Sequence, residues 1–530
     1  MDGLPSVLIM TRSRWTAVGV AALATVAATA ASLPGSAAAA TPLVTSVAAP
    51  SVTSVAASGP KWGACPALAA AKTPNTAKGV NGAGPAQCAD ITVPLSWAAP
   101  RGRTITLRLS RLPTLDRKHR VGVLLFNPGG PGVAGAETIA QAGRALLPTA
   151  LQNRFDIIGF DPRGVGMSTA VTCGGPGLSG RVPVFPRSRA QYAAVRRQSA
   201  AYGASCVKNS LPGLVANVGT PSAARDMDAI RVALGEKKIS YLGLSYGTFL
   251  GQTYARLFPK RVGTMVLDGA FDHAVGPKRF VDQEVSALSR VFGRFASWCS
   301  ATASCALHGQ NVTKVWDDLL ARAARTPIPA PNAQHGATTV NDDTIRMVLP
   351  NLLLFGPTSS LMPSTWPTLG EGIARARAGD ASLLADNSMV GEPQDAYAAI
   401  GCQDFPPRLR GYADAAARLR KARELAPHTG AASEAWLMTD LCASWPVPAS
   451  DPWAPQKITG TPPILITSTR YDPSTPLVWA QGLHREIAGS RLLVADVAGH
   501  TAFFNSACAR AAEADYLISG RLPESMTCGV

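Results

Sequence analysis

At 530 residues, 46% of them hydrophobic and 16% charged, the chain can bury a large core, which excludes a disordered or coiled-coil protein. Its 50 Lys and Arg against 34 Asp and Glu give a net charge of +16, yet no Lys/Arg block or aromatic-interleaved basic stripe occurs. That pattern argues against nucleic acid as a partner and leaves only loose attraction to an anionic cell envelope.

Arg12 and Arg14 precede an Ala/Val-rich run from Trp15 to Ala31, and Gly35 to Ala40 supplies small residues. This is the order of a secretory signal, assigned to residues 1–40. The run is short, weakly apolar and followed by Pro34, so a stable membrane association is not expected. Residues 41–60 are low-complexity Ala, Ser, Val and Thr, read as a pro-segment or linker. Ten cysteines follow the signal, with no Cys-x-x-Cys pair, which favours disulfides in an exported protein over a zinc site. Pairing each with its neighbour gives Cys65–Cys88, Cys173–Cys206, Cys299–Cys305, Cys402–Cys442 and Cys508–Cys528.

Ile91 to Trp97 and Thr104 to Leu112 read as an antiparallel pair of strands, the second with alternating apolar residues. Val121 to Phe126 and Phe155 to Phe160 are continuous apolar runs of the kind buried in a parallel sheet. They end in Asn127-Pro-Gly-Gly-Pro-Gly132 and Asp161-Pro-Arg-Gly164. A helix capped by Thr220, with Pro221 in its first turn and Gly235 at its end, leads to a strand over Lys238–Leu242. A turn, Gly243-Leu244-Ser245-Tyr246-Gly247, then feeds a helix to Phe258, and Val262 to Leu267 is the next strand. From Phe280 to Trp453 helical patterns replace strands: Phe280–Trp298, Val312–Arg325, Thr365–Ala378 and Tyr412–Leu425. The strand–helix rhythm resumes at Pro463–Ser468, Leu477–Ile487 and Arg491–Ala495. The expected fold class is α/β, a mostly parallel sheet over residues 61–279 and 456–530, interrupted by a mainly helical cap at 280–455. A free-standing second domain is the alternative for the helical stretch.

Gly-x-Ser-x-Gly between a strand and a helix is a nucleophile elbow, which lifts a serine hydroxyl above a sheet. A hydroxyl needs a base to take its proton and a carboxylate to orient that base. Asp472 and His500 stand downstream in the required order, each after a strand. Asp268 is the rival acid, also at a strand end. The oxyanion of an acyl-transfer intermediate needs two amide donors. Tyr246 supplies one by position, and the glycine-rich loop supplies the other, with Gly130 preferred to Gly129. That loop lacks the Lys-Ser/Thr ending of a P-loop and the glycine spacing of a dinucleotide site, so no cofactor is expected, and no metal.

Together with Asp161-Pro-Arg-Gly-Val-Gly-Met-Ser168, Tyr471-Asp-Pro-Ser-Thr-Pro476 and Gly499-His500, these segments resemble the secreted tripeptidyl aminopeptidases of actinomycetes, prolyl-aminopeptidase-like serine peptidases of the α/β-hydrolase fold. The resemblance runs from about Cys65 to Cys528. It departs at Thr501, where many relatives carry Gly. It implies a secreted, extracellular, monomeric exopeptidase acting on peptide substrates to release tripeptides from free N-termini, with an exported carboxylesterase as the alternative. Such an enzyme must bind an ammonium group. Asp404, in a segment similar to one recurrent in the family, is the expected anchor, with Glu137 and Asp395 as other candidates.

Overall fold

The computed structural model describes residues 59–66, 85–175, 177, 182–334, 336–359, 361–389 and 395–529; the expected signal and nearly all of the 41–60 linker lie outside them. The described strands are β1 (Gly63–Ala64), β2 (Gln87–Pro94), β3 (Thr104–Leu112), β4 (Gly122–Asn127), β5 (Phe155–Phe160), β6 (Ile239–Leu244), β7 (Val262–Asp268), β8 (Ile328–Pro329), β9 (Thr339–Val340), β10 (Leu465–Tyr471), β11 (Arg491–Ala498) and β12 (Thr527–Cys528). All but β8 and β9 form one sheet in the order β1-β2-β3-β5-β4-β6-β7-β10-β11-β12. Its β1, β2 and β3 run antiparallel, and from β5 to β12 every pairing is parallel.

The apolar runs of the parallel strands are two-sided because helices cover both faces of the sheet. Along β4, Val123 and Leu125 join one core, and Leu124 and Phe126 the other. Helices Thr220–Ala233 and Tyr246–Leu257 cover the first face through Met227, Ile230, Phe249 and Tyr254. Gly135–Leu146 and Ala507–Ser519 cover the second through Ile139, Tyr516 and Leu517.

Between β7 and β10 the described chain is helical apart from the small antiparallel β8–β9 ribbon. Its long helices are Gly276–Ala301, Val312–Arg325, Trp366–Ala378 and Tyr412–Leu425, with shorter ones at Asp395–Asp404 and Glu434–Leu441. Among the described residues no helix is long and apolar enough to cross a membrane. All five neighbour pairings of cysteine are present as disulfides, as suits an oxidising compartment.

One expected cap is different. The helix starting at Thr220 has Gly219 at its N-cap, and the Thr220 hydroxyl is turned to another task described below.

Candidate active site

β6 ends at Leu244, and Ser245 takes φ 57° before the helix Tyr246–Leu257 begins. A non-glycine residue tolerates this only where surroundings fix it. Here the Ser245 N–H donates to the Asp268 carbonyl at 2.8 Å, and the Ser245 carbonyl accepts the Thr248 N–H and hydroxyl at 2.8 and 2.7 Å. The flanking glycines are steric requirements. A Cβ on Gly243 would lie 2.5 Å from the Gly247 carbonyl oxygen, and one on Gly247 would lie 2.8 Å from Asn127 O and Oδ1. Ser245 itself is half-buried.

The loop after β10 carries Asp472, buried to 1% exposure, and the loop after β11 carries His500. His500 Nδ1 lies 2.9 and 3.0 Å from the two Asp472 oxygens, so Nδ1–H donates to the carboxylate and Nε2 is left as the basic nitrogen. Asp472 also accepts the N–H of Ser474, Thr475 and Thr501, at 2.9, 2.7 and 3.1 Å. Burial works against a charged His500, but Asp472, Glu434 and Asp268 outweigh it and raise its pKa above the ordinary histidine value. Among the described residues no hydrogen bond joins Ser245 to His500. The two are brought to one place by β7: Asp268 holds the Ser245 N–H, and a Cβ on the next residue, Gly269, would lie 3.3 Å from His500 Cε1.

Asp268 does not touch the imidazole. Its two oxygens accept the Ala502 and Phe503 N–H groups at 2.8 Å each, so it shapes the chain just after His500, and burial pushes its pKa up to about 6.

The Asn127–Gly132 loop lies over the serine. A Cβ on Gly129 would come within 2.8 Å of Ser245 Cβ and 3.2 Å of Tyr246 N. The Gly129 amide is already taken by Asn127 Oδ1 at 3.0 Å, whereas those of Gly130 and Tyr246 have no hydrogen-bond partner among the described residues. Two free amides beside a serine can hold an oxyanion.

Asp404 is where the expectation fails. It is fully buried, with Oδ1 accepting the Thr220 N–H at 3.0 Å and Oδ2 accepting the Thr220 hydroxyl at 2.6 Å and the Tyr246 hydroxyl at 3.3 Å. Burial pushes its pKa up to about 8. A carboxyl group so enclosed cannot meet an ammonium from solvent. Asp395 is likewise engaged, by the Tyr202 hydroxyl at 2.7 Å and the Cys173 N–H at 3.0 Å. Glu137 contacts the Gln141 side chain on helix Gly135–Leu146 and lines a crevice with Cys65, Cys88 and Asp161.

Two carboxylates missed in the sequence act on the Asp472 end of the site. Glu434 Oε1 accepts the Ser474 hydroxyl at 2.9 Å, on the loop that holds Asp472, and Glu284 accepts the N–H groups of Glu434 and Ala435 at 2.8 and 2.9 Å. Burial, and for Glu284 the charge of Glu434, raises both pKa values. No Lys or Arg pairs with either among the described residues.

Comparison with known proteins shows the family of the chain. Residues 122–369 match the model of the alpha/beta hydrolase fold, and residues 426–528 that of the TAP-like protein. The serine protease Hip1 of Mycobacterium tuberculosis is 33% identical over 463 residues, covering 83% of this chain and 87% of that protein. The chain belongs to the TAP-like α/β hydrolases. Tripeptidyl aminopeptidase of Streptomyces lividans is 31% identical over 477 residues, covering 84% of each chain, and carboxylesterase B of M. tuberculosis is 32% identical over 473 residues, covering 84% and 86%.

In this TAP-like hydrolase one further group had a readable signal. Thr475, inside the Tyr471–Pro476 segment, donates its hydroxyl to Asp472 Oδ2 at 3.1 Å and stands 3.2 Å from His500 Nδ1. Asp-x-x-Thr after a strand is the pattern of a local carboxylate turn. Glu434 and Glu284 had no such signal, because they meet only through the packing of two helices far apart in sequence.

Proposed function

We propose that this protein is a secreted serine exopeptidase that releases tripeptides from free N-termini, with residues 280–455 as a cap over the site. Ser245 Oγ attacks the peptide carbonyl while His500 Nε2 takes its proton, and Asp472 steadies the imidazolium through Nδ1–H. The Tyr246 and Gly130 amides donate to the oxyanion. His500 returns the proton to the leaving amine, and water then frees the acyl group by the same steps in reverse.

The observation that carries the peptidase reading is Glu434, a partly exposed carboxylate tied to the Asp472 loop, with its N–H held by Glu284 and without a Lys or Arg partner among the described residues. A negative group so near the acyl site suits a substrate with a positive end, and an N-terminal ammonium supplies one. The tripeptide length follows the Streptomyces relative named tripeptidyl aminopeptidase. The relative named carboxylesterase keeps the ester reading in view, since Glu434 also favours a charged His500 with any acyl substrate.

The test is turnover of a chromogenic tripeptide anilide, its N-acetyl twin and an acyl ester. The free amine should be preferred, and Glu434→Gln should raise its KM about tenfold or more without changing that of the acetylated twin. Equal turnover of blocked and free peptides would sink the exopeptidase reading, and turnover of the ester alone would favour the esterase.

A further inference from the structure

Two of the three carboxylates considered as amine anchors, Asp395 and Asp404, are the two ends of one helix, Asp404 fully buried and Asp395 held by Tyr202 and the Cys173 N–H. That helix touches both halves of the oxyanion site. At its start, a Cβ on Gly132 of the glycine-rich loop would lie 3.0 Å from Tyr397 N and 3.1 Å from Ala396 Cβ. At its end, Asp404 Oδ2 stands within hydrogen-bond reach of the Thr220 and Tyr246 hydroxyls, which also contact each other, so the three groups share one buried polar cluster.

We propose that the helix Asp395–Asp404 is a strut that sets both oxyanion donors, with Asp404 as the positioning residue for Tyr246 and the Ala396–Tyr397 turn as the stop for the Gly130 loop. This rests on the serine-hydrolase reading of the site.

The strut is fixed from several sides. Asp395 is bonded to Tyr202 and to the Cys173 main chain, so its first turn is seated on the segment that follows β5. Its last turn is tied by the Cys402–Cys442 disulfide, by the Gln403 carbonyl accepting the Ser450 and Asp451 N–H groups, and by the Asp404 carbonyl accepting His273 Nε2–H at 2.7 Å. A Cβ on Gly401 would lie 2.1 Å from Met438 Cε, so the helix sits directly against its neighbour Glu434–Leu441. The Tyr246 side chain is 3% exposed and leaves from the residue whose N–H stands next to Ser245. Gripping its hydroxyl at the far end restrains rotation of that first helical turn. Without Asp404, the Thr220 N–H and hydroxyl would lose their buried acceptor and the Tyr246 hydroxyl would be left with Thr220 alone, so the turn would relax to satisfy them. Small displacements of an oxyanion donor are costly because its contribution is greatest in the transition state.

The consequence is a defect in kcat and not in substrate binding. Asp404→Ala and Tyr246→Phe should each lower kcat roughly 10- to 100-fold on whichever chromogenic substrate the wild type turns over, with KM within about twofold. Affinity for a peptide aldehyde, whose adduct with Ser245 places an oxyanion in the same site, should fall in parallel with kcat. Asp404→Asn, which keeps an acceptor for the Thr220 N–H and the shape of the group, should restore most of kcat. Gly132→Ala tests the other end and should give the same split between kcat and KM. Folding is checked by thermal unfolding of each variant, and if Asp404→Ala fails to fold, Tyr246→Phe decides alone. Folded variants with normal kcat and normal aldehyde affinity would overturn the strut, as would a loss carried by KM. Failure of the wild type to react with an organophosphorus serine reagent would instead remove the serine-hydrolase reading, and the strut with it.

Discussion

Thr501 follows His500 with φ 65°, a conformation a β-branched residue adopts only under constraint. The constraint is visible. Its N–H is held by Asp472 Oδ2, and Asn505 Nδ2 donates to the carbonyls of His500 and Thr501 at 2.7 and 2.9 Å. The side chain brings no compensation, since its hydroxyl is buried without a partner among the described residues. Glycine would meet the same dihedral without strain and would remove the orphaned hydroxyl, against a cost in unfolded-chain entropy. Thr501→Gly should therefore stabilise the protein by about 1 kcal/mol, seen as a higher urea midpoint at unchanged slope, with kcat preserved. A loss of stability would mean that the threonine methyl, which packs toward Gly269, matters more than the dihedral.

At the scale of elements, the strands were legible because a two-sided parallel sheet writes itself as unbroken apolar runs: the expected Phe155–Phe160 and the observed β5 coincide. Val312–Arg325 and Tyr412–Leu425 were equally plain from their periodicity. The 21-residue helix Arg189–Asn209 was missed because its polar and small residues give no clear apolar face, and Asp395–Asp404 because it is apolar nearly all round. The candidate residues after strand ends, Ser245, Asp472 and His500, are the ones chain order can single out, whereas the positions of Glu284, Glu434 and Asp404 depend on helix packing that no local pattern encodes. The Asp161-Pro-Arg-Gly164 motif was readable as a loop but not as a joint. Arg163 is fully buried and forks onto Asp226 of helix Thr220–Ala233 at 2.6 and 2.7 Å, while also donating to the Pro94, Leu95 and Asn217 carbonyls. Trp97 Nε1 completes the Asp226 shell at 3.0 Å. Removing one charge would strand the other in the core, so Asp226→Asn should cost about 3–5 kcal/mol. Urea unfolding followed by tryptophan fluorescence would measure it, and a cost under about 1 kcal/mol would show that the joint is not strained by losing its charge.

Across the whole molecule, six buried carboxyl groups share one direction. Burial pushes Asp161 and Asp268 up to about 6 and Asp404 up to about 8, and it raises Glu284, Asp440 and Glu513 well above their ordinary range. In the unfolded chain such groups lose their protons near pH 4. Between there and their folded values the native state holds more protons than the unfolded one, so stability falls as pH rises. His500, raised by its acidic neighbours, adds stability below the ordinary histidine pKa that is also lost as pH rises. His273 opposes them: burial lowers it to about 4, so it favours unfolding as pH falls from about 6.5 toward 4. One histidine is outnumbered by six carboxyl groups and His500. The melting temperature should therefore be higher at pH 5 than at pH 8, measured at about 0.15 M salt so that the repulsion within a chain of net charge +16 is screened. Asp404→Asn should flatten the decline between pH 6 and 8, where Asp161 and Asp268 have already ionised and Asp404 has not. A melting temperature that climbs from pH 5 to pH 8 in the wild type would show that these groups are solvated in the folded protein, and would remove the reason for reading Asp404 as a sealed contact between the helical segment and the nucleophile turn.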